Sequence, residues 1–122
     1  MCQRWTGAPA AMTANFNLDD LEWIGDEPET FATSSILDRQ FCRDCGTSIG
    51  YRYRVGTFST VQFILIGTLD HPENLEGPRH YFGIEDHLEK WMILDDGLAK
   101  VRADESPHIR EAFELSEQPP SS

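Results

Sequence analysis

Apolar and polar positions alternate with a period of two along much of the chain, and helical periodicity is scarce, so the pattern predicts a mainly β domain. The clearest strand runs from Ile49 to Val55. Ile49, Tyr51, Tyr53 and Val55 face one way, and Gly50, Arg52 and Arg54 face the other. Thr60–Ile66 is a second strand, whose unbroken run Phe63-Ile64-Leu65-Ile66 calls for cover on both faces. With Gly56-Thr57 between them, the two read as an antiparallel hairpin closed by a short turn. Upstream, Ala10–Phe16 places Ala10, Met12, Ala14 and Phe16 on one face. Leu21–Ile24, Thr30–Thr33 and Ile36–Phe41 are shorter strand candidates divided by acidic and Gly/Pro turns. Downstream, Asp70-His71-Pro72-Glu73 reads as a turn and Arg79–Ile84 as a strand. One helix is expected, near the end. Ser106 suits an N-cap, Pro107 suits the first helical position, and Ile109, Ala112 and Phe113 form an i, i+3, i+4 stripe. Gln118–Ser122 reads as a polar tail.

Composition narrows the function. A chain of 122 residues suits one domain. Ten basic residues against 21 acidic ones give a formal net charge of −11, which argues against nucleic acid or an anionic membrane as partner. No apolar run is long enough to span a bilayer, and no apolar stretch follows Met1 as in a secretory signal, so a cytoplasmic setting is expected. Most of the acid lies in the second half of the chain. The bland reading is a solvated flank; the functional one is that Arg4, Arg39, Arg43, Arg52 and Arg54 keep the first half receptive to an anion.

The most informative segment is Phe41-Cys42-Arg43-Asp44-Cys45-Gly46-Thr47. Two cysteines spaced i, i+3 around a tight turn can aim both thiolates at one tetrahedral metal, and Gly46 can supply the left-handed conformation such a turn requires. The rival is a redox pair, which would place C-x-x-C at a helix N-terminus within a βαβ pattern. The alternating strand that follows favours a zinc knuckle. A structural zinc needs four ligands, and only Cys2 and four unpaired-looking histidines (His71, His80, His87 and His108) remain.

Four segments in order resemble the glutathione-dependent formaldehyde-activating enzyme family. Cys2-Gln3-Arg4-Trp5-Thr6-Gly7-Ala8-Pro9 is similar to its C-R-R-W-T-G-A-P, and Phe41–Thr47 with Tyr51-Arg52 to its F-C-x-x-C-G-T…Y-R. Gly67-Thr68-Leu69-Asp70-His71-Pro72-Glu73 resembles G-[ST]-L-D-x-P-E; His80, Trp91 and Asp95-Asp96-Gly97-Leu98 resemble its closing pattern. The resemblance covers residues 2–98 and implies a zinc β-tent of small antiparallel sheets. It divides the chain into a tent domain, 1–98, and a C-terminal helix and tail, 99–122.

The resemblance also implies two zinc sites: a structural four-cysteine site, to which Cys42 and Cys45 belong, and an open catalytic site of three thiolates, whose last cysteine is Cys2. This chain carries two ligands of the first set and one of the second, as if a segment preceding Met1 were missing. Its implied activity is that of a carbon–sulfur lyase acting reversibly between a thiol such as glutathione plus an aldehyde and their adduct. Glutathione carries two carboxylates, so Arg4 and Arg52 are candidate clamps and Trp5 a candidate cover. The chain by itself is expected to be inactive, to hold no complete four-ligand zinc within one subunit, and to self-associate as a homodimer across an open sheet edge. The alternatives are a non-catalytic zinc β-tent binding module and, third, a methionine sulfoxide reductase, which would need a reactive cysteine later than Cys45.

Overall fold

The computed structural model describes residues 2–8, 10–88, 90, 92 and 94–117, and at Cys2 the backbone alone. Trp91 and the polar tail at 118–122 lie outside the described residues. The main sheet is antiparallel and holds five strands: β1 (Thr13–Asn17), β2 (Glu29–Ala32), β3 (Leu37–Phe41), β4 (Ser48–Tyr53) and β5 (Val61–Leu65), in the order β1-β5-β4-β3-β2. A second sheet pairs β6 (His80–Phe82) with β7 (Ala99–Val101) in parallel. Two helices complete the fold, α1 (Cys2–Thr6) and α2 (Pro107–Glu117). The mainly β reading holds. The C-terminal helix begins at Pro107, and the carbonyl of Ser106 accepts the Ile109 and Arg110 N–H groups.

Register sorts the side chains into two sets. Leu37 lies opposite Tyr53, Arg39 opposite Tyr51, and Tyr51 opposite Phe63, so these five share one face. Asp38, Gln40, Gly50, Arg52 and Gln62 occupy the other. The first face carries the apolar core. Ile36, Leu37, Tyr53 and Ala112 of α2 are buried together, with Val55, Phe58, Phe63 and Ile109 packed around them. Aromatic contacts knit this layer. Tyr51 stacks on Phe63 at 4.7 Å, and Tyr53 meets Phe63 edge-on at 5.7 Å; such pairs contribute about 0.5–1.5 kcal/mol beyond their burial.

Three local expectations are corrected. Leu21–Ile24 is no strand. Asp19 and Asp20 belong to a 3-10 turn just before it and Gly25 turns the chain at φ 86°, so although Leu21 and Trp23 are half-buried and Ile24 is 95% exposed, the segment has no sheet neighbour to pair with. The connection from β4 to β5 is longer than a two-residue turn. β4 stops at Tyr53 because Arg54 turns back onto the loop before β3: its N–H donates to the Ile36 carbonyl, and its guanidinium to the carbonyls of Leu37 and Ser34. A 3-10 turn (Thr57–Thr60) then carries Phe58 into the core. Gly56 makes this possible, with φ 93° and a position where a Cβ would lie 3.5 Å from that of Ala112. Finally, the Arg79–Ile84 strand is shortened to β6 by Gly83, which adopts the left-handed conformation.

Candidate functional site

Residues 42–47 form a tight knuckle joining β3 to β4. The Gly46 N–H donates to the Cys42 carbonyl at 2.8 Å, and the Cys42 N–H to the Thr47 carbonyl at 2.9 Å. Gly46 supplies the left-handed residue at φ 77°. The chain continues directly into β4, so no helix begins at Cys42 and the geometry of a thioredoxin-like redox pair is absent there. Cys42 and Cys45 are free thiols, Cys45 exposed. The Thr47 hydroxyl lies 2.9 Å from Cys45 Sγ. That hydroxyl, the Thr47 N–H and the Cys42 thiol hold the Cys45 thiol below its ordinary range, against the opposing charge of Asp44. Arg43 reaches across to Glu29 on β2, its Nε donating at 2.8 Å.

Beside the knuckle lies a cleft of about 330 Å³, lined by Trp5, Phe31, Arg39 and Phe41 together with Gly46 and Ser48. Its centre is an arginine. The Arg39 guanidinium carbon sits 4.7 Å from the Trp5 ring centroid and 4.9 Å from that of Tyr51, and the residue is only 2% exposed. Two π faces offset part of the desolvation of that charge. Trp5 is delivered by α1, one turn ended by Gly7, whose N–H donates to the Gln3 carbonyl at 2.8 Å. The Gln3 side chain donates to the Asp86 carbonyl at 2.7 Å and ties α1 to the chain beyond β6.

The structure thus brings Trp5, of the sequence candidates, beside the knuckle of Cys42 and Cys45. Arg4 is exposed on α1 and does not line the cleft. Arg52 stands on the opposite face of the sheet from the cluster of Trp5, Arg39 and Tyr51. The side chain of Cys2 lies outside the described residues. Among those described, no three metal-ligating side chains converge. Three histidines find partners away from the knuckle: His71 at Glu73, His87 at the Met92 carbonyl and His108 at Ser106. The residue that sequence reasoning underrated is Arg39, grouped there only as one of five cations. Its signal was present: it is the one charged position on the inward-facing set Leu37, Arg39, Phe41.

A family model described as glutathione-dependent formaldehyde-activating enzyme matches residues 1–84. The chain belongs to that family. The match takes in α1, the whole main sheet and the knuckle, and it includes Arg39, Arg52 and β6; β7 and α2 fall beyond it. The Asp95–Leu98 motif of this family member also lies beyond the match. There Asp96 accepts hydrogen bonds from the Tyr81 hydroxyl and the Leu98 N–H. No curated protein and no solved structure matches. Among the described residues, no helix is long and apolar enough to cross a membrane.

Proposed function

We propose that this chain carries the substrate-holding part of a carbon–sulfur lyase of the formaldehyde-activating type, acting on a thiol–aldehyde adduct in the cytoplasm. The observation that carries the reading is Arg39, set beside the knuckle against the rings of Trp5 and Tyr51: a fixed positive charge on the wall of a cleft bordered by the cysteine turn. A carboxylate of glutathione suits that wall, since a guanidinium offers charge-assisted donors in a fixed plane. Trp5 and Phe31 would pack on the ligand and exclude water.

The knuckle suits zinc as far as it goes. Cys42 and Cys45 are thiols on one turn, whose Thr47 hydroxyl and N–H favour the thiolate of Cys45, and the two would hold the metal as two of four ligands. At an open thiolate set including Cys2, bound zinc supplies Lewis acidity toward the aldehyde oxygen and lowers the pKa of the substrate thiol. In the condensing direction the thiol sulfur bonds to the carbonyl carbon, the carbonyl π bond breaks, and the thiol proton ends on the new hydroxyl. Arg39 would fix the thiol substrate for that step without exchanging a proton.

Glutathione titration of the native chain and of Arg39→Met tests the assignment. Binding is expected to weaken roughly tenfold or more in the variant; equal affinity overturns the role of Arg39. In the same samples, adduct formation from glutathione and formaldehyde is expected to stay at background with or without zinc, because Cys2 is one thiolate of three. A zinc-dependent acceleration overturns that ligand count. Retained zinc with no glutathione binding turns the reading toward a non-catalytic binding module. Self-association across β1 or β2, the edge strands of the main sheet, is part of the proposal and is read by sedimentation.

A further inference from the structure

The face of the sheet turned away from Trp5 has a cleft of its own, about 390 Å³, lined by Tyr53 and otherwise by Thr30, Asp38, Gln40, Arg52, Arg54 and Ser59, the six that concern a ligand here. A cleft of this size suits a small ligand. Five of these six side chains bring hydrogen-bond donors. The sixth, Asp38, is already answered by Arg54, which pairs with it while donating to the Leu37 carbonyl at 3.1 Å and to the Ser34 carbonyl.

That pairing isolates Arg52. In the β3–β4 register Asp38 lies directly opposite Arg52, the position from which a carboxylate ordinarily takes its cross-strand partner. Asp38 instead goes to Arg54, and the Nε of Arg52 is screened from solvent with no hydrogen-bond partner among the described residues. In a chain with 21 acidic residues against ten basic ones, an arginine beside a carboxylate that it does not engage is unexpected. A buried donor left unmade costs free energy that a ligand can return. Gln40 adds a second donor. Only 3% exposed, it accepts from Gln62 Nε2 through its Oε1, which leaves its own amide nitrogen to the cleft that it lines.

We infer that this second cleft is an oxyanion site, taking the carboxylate or phosphate group of a small ligand on Arg52, with Gln40 and the hydroxyls of Thr30 and Ser59 completing the donor set. A rotation of the Arg52 side chain brings the Nε–Nη fork onto two oxygens of the anion and satisfies the orphaned donor. The site is separated from the Arg39 cleft by the sheet itself and does not depend on the lyase reading.

The test is a titration of the ¹⁵N-labelled chain at constant ionic strength, with acetate in one series and inorganic phosphate in another. The resonances followed are the Arg52 Nε–H and the amides of Thr30, Gln40 and Ser59. Saturable shifts confined to these groups are expected. Saturation by acetate alone assigns a carboxylate ligand, by phosphate alone a phosphate ligand, and by both an unselective oxyanion cleft. Arg52→Gln is expected to weaken binding roughly tenfold or more, while Arg39→Met leaves it unchanged, which separates this site from the proposed substrate cleft. Shifts that never saturate in either series overturn the inference, as do saturable ones that persist in a folded Arg52→Gln. Should Arg52→Gln fail to fold, a Thr30→Val, Ser59→Ala double variant decides: binding weakened several-fold supports the site, and unchanged affinity overturns it.

Discussion

On one face of the sheet a buried arginine is held against two aromatic rings; on the other, a buried glutamine pair is held by hydrogen bonds. Arg39 sits in the corner made by Trp5 and Tyr51, whose rings meet edge-on at 6.3 Å, within a layer of rings that extends through Phe63 and Tyr53. Gln62 is fully buried, and its Nε2 serves Gln40 Oε1 and the carbonyls of Phe63, at 3.0 Å, and Tyr51, at 3.4 Å, while its own Oε1 has no partner among the described residues. The two solutions differ in tolerance. A cation over a π face is attracted over a broad range of positions. An amide network depends on direction, and one lost partner leaves a buried polar group unmade. The second face should therefore be the less forgiving.

The sharpest way to break the comparison is at Gly50, which the register sets between Gln40 and Ile64. A Cβ there would stand 2.1 Å from the Phe63 carbonyl oxygen and 3.0 Å from Gln62 Nε2. The strands would have to part. Gly50→Ala is expected to cost about 3 kcal/mol or more, toward the upper end of overpacking effects, read as a fall in the urea midpoint.

Next in size is the amide pair. Gln62→Leu strands the Gln40 oxygen in a buried setting, at a cost of about 2 kcal/mol. Adding Gln40→Leu removes the stranded partner and should recover at least about 1 kcal/mol, a coupling that a double-mutant cycle measures. Strict additivity would mean that the network contributes nothing as a unit.

A smaller contrast sets the two arginines against each other. Arg39→Met keeps volume but gives up both ring contacts, for an expected loss of about 1–2 kcal/mol. Arg52→Met gives up no partner at Nε among the described residues and should stay within about 0.5 kcal/mol of the native chain. Equal losses at the two positions would erase the distinction between an arginine held by ring contacts and one that the fold leaves unengaged.

How far the sequence revealed this arrangement depended on whether the signal was local. The knuckle was legible because C-x-x-C-G encodes its own turn, and α2 because Ser106-Pro107 states where it begins. Alternation in Ile49–Val55 separated Tyr51 and Tyr53 from Arg52 correctly. The rest required partners far along the chain. Gln40 and Gln62 are 22 residues apart and carry no pattern of their own. β6 was legible within Arg79–Ile84, but β7 is three residues, too short for periodicity, and the parallel pairing of the two needs a crossover that no turn signal marks. The loop after β4 was misjudged because Gly56 announces a turn without saying that Arg54 has already left the strand for the Ile36 carbonyl. Arg39 was visible as a charge on an inward position, but only the arrival of Trp5 from the N-terminal turn makes it a cleft wall.

The smallest expected effect uses protons to probe the aromatic face. His108 on α2 meets Phe58 at 4.6 Å, Phe82 at 5.4 Å and Tyr53 at 6.0 Å, and its Nδ1 is 2.7 Å from Ser106 Oγ. Burial among these groups lowers its pKa, and the Glu111 charge opposes that only in part. In the unfolded chain the imidazole titrates near its ordinary value of about 6.5. Above that value it is neutral in both states, and the folded state keeps its full advantage. As the pH falls through it, the unfolded chain takes up the proton first, so stability declines until the lower, folded value is passed; below that the contribution is flat. Urea midpoints measured from neutral pH downward should show this decline, and His108→Gln should remove it while leaving other titrations in place. A decline of unchanged slope in His108→Gln would place the responsible proton elsewhere and leave the aromatic face without a titrating member.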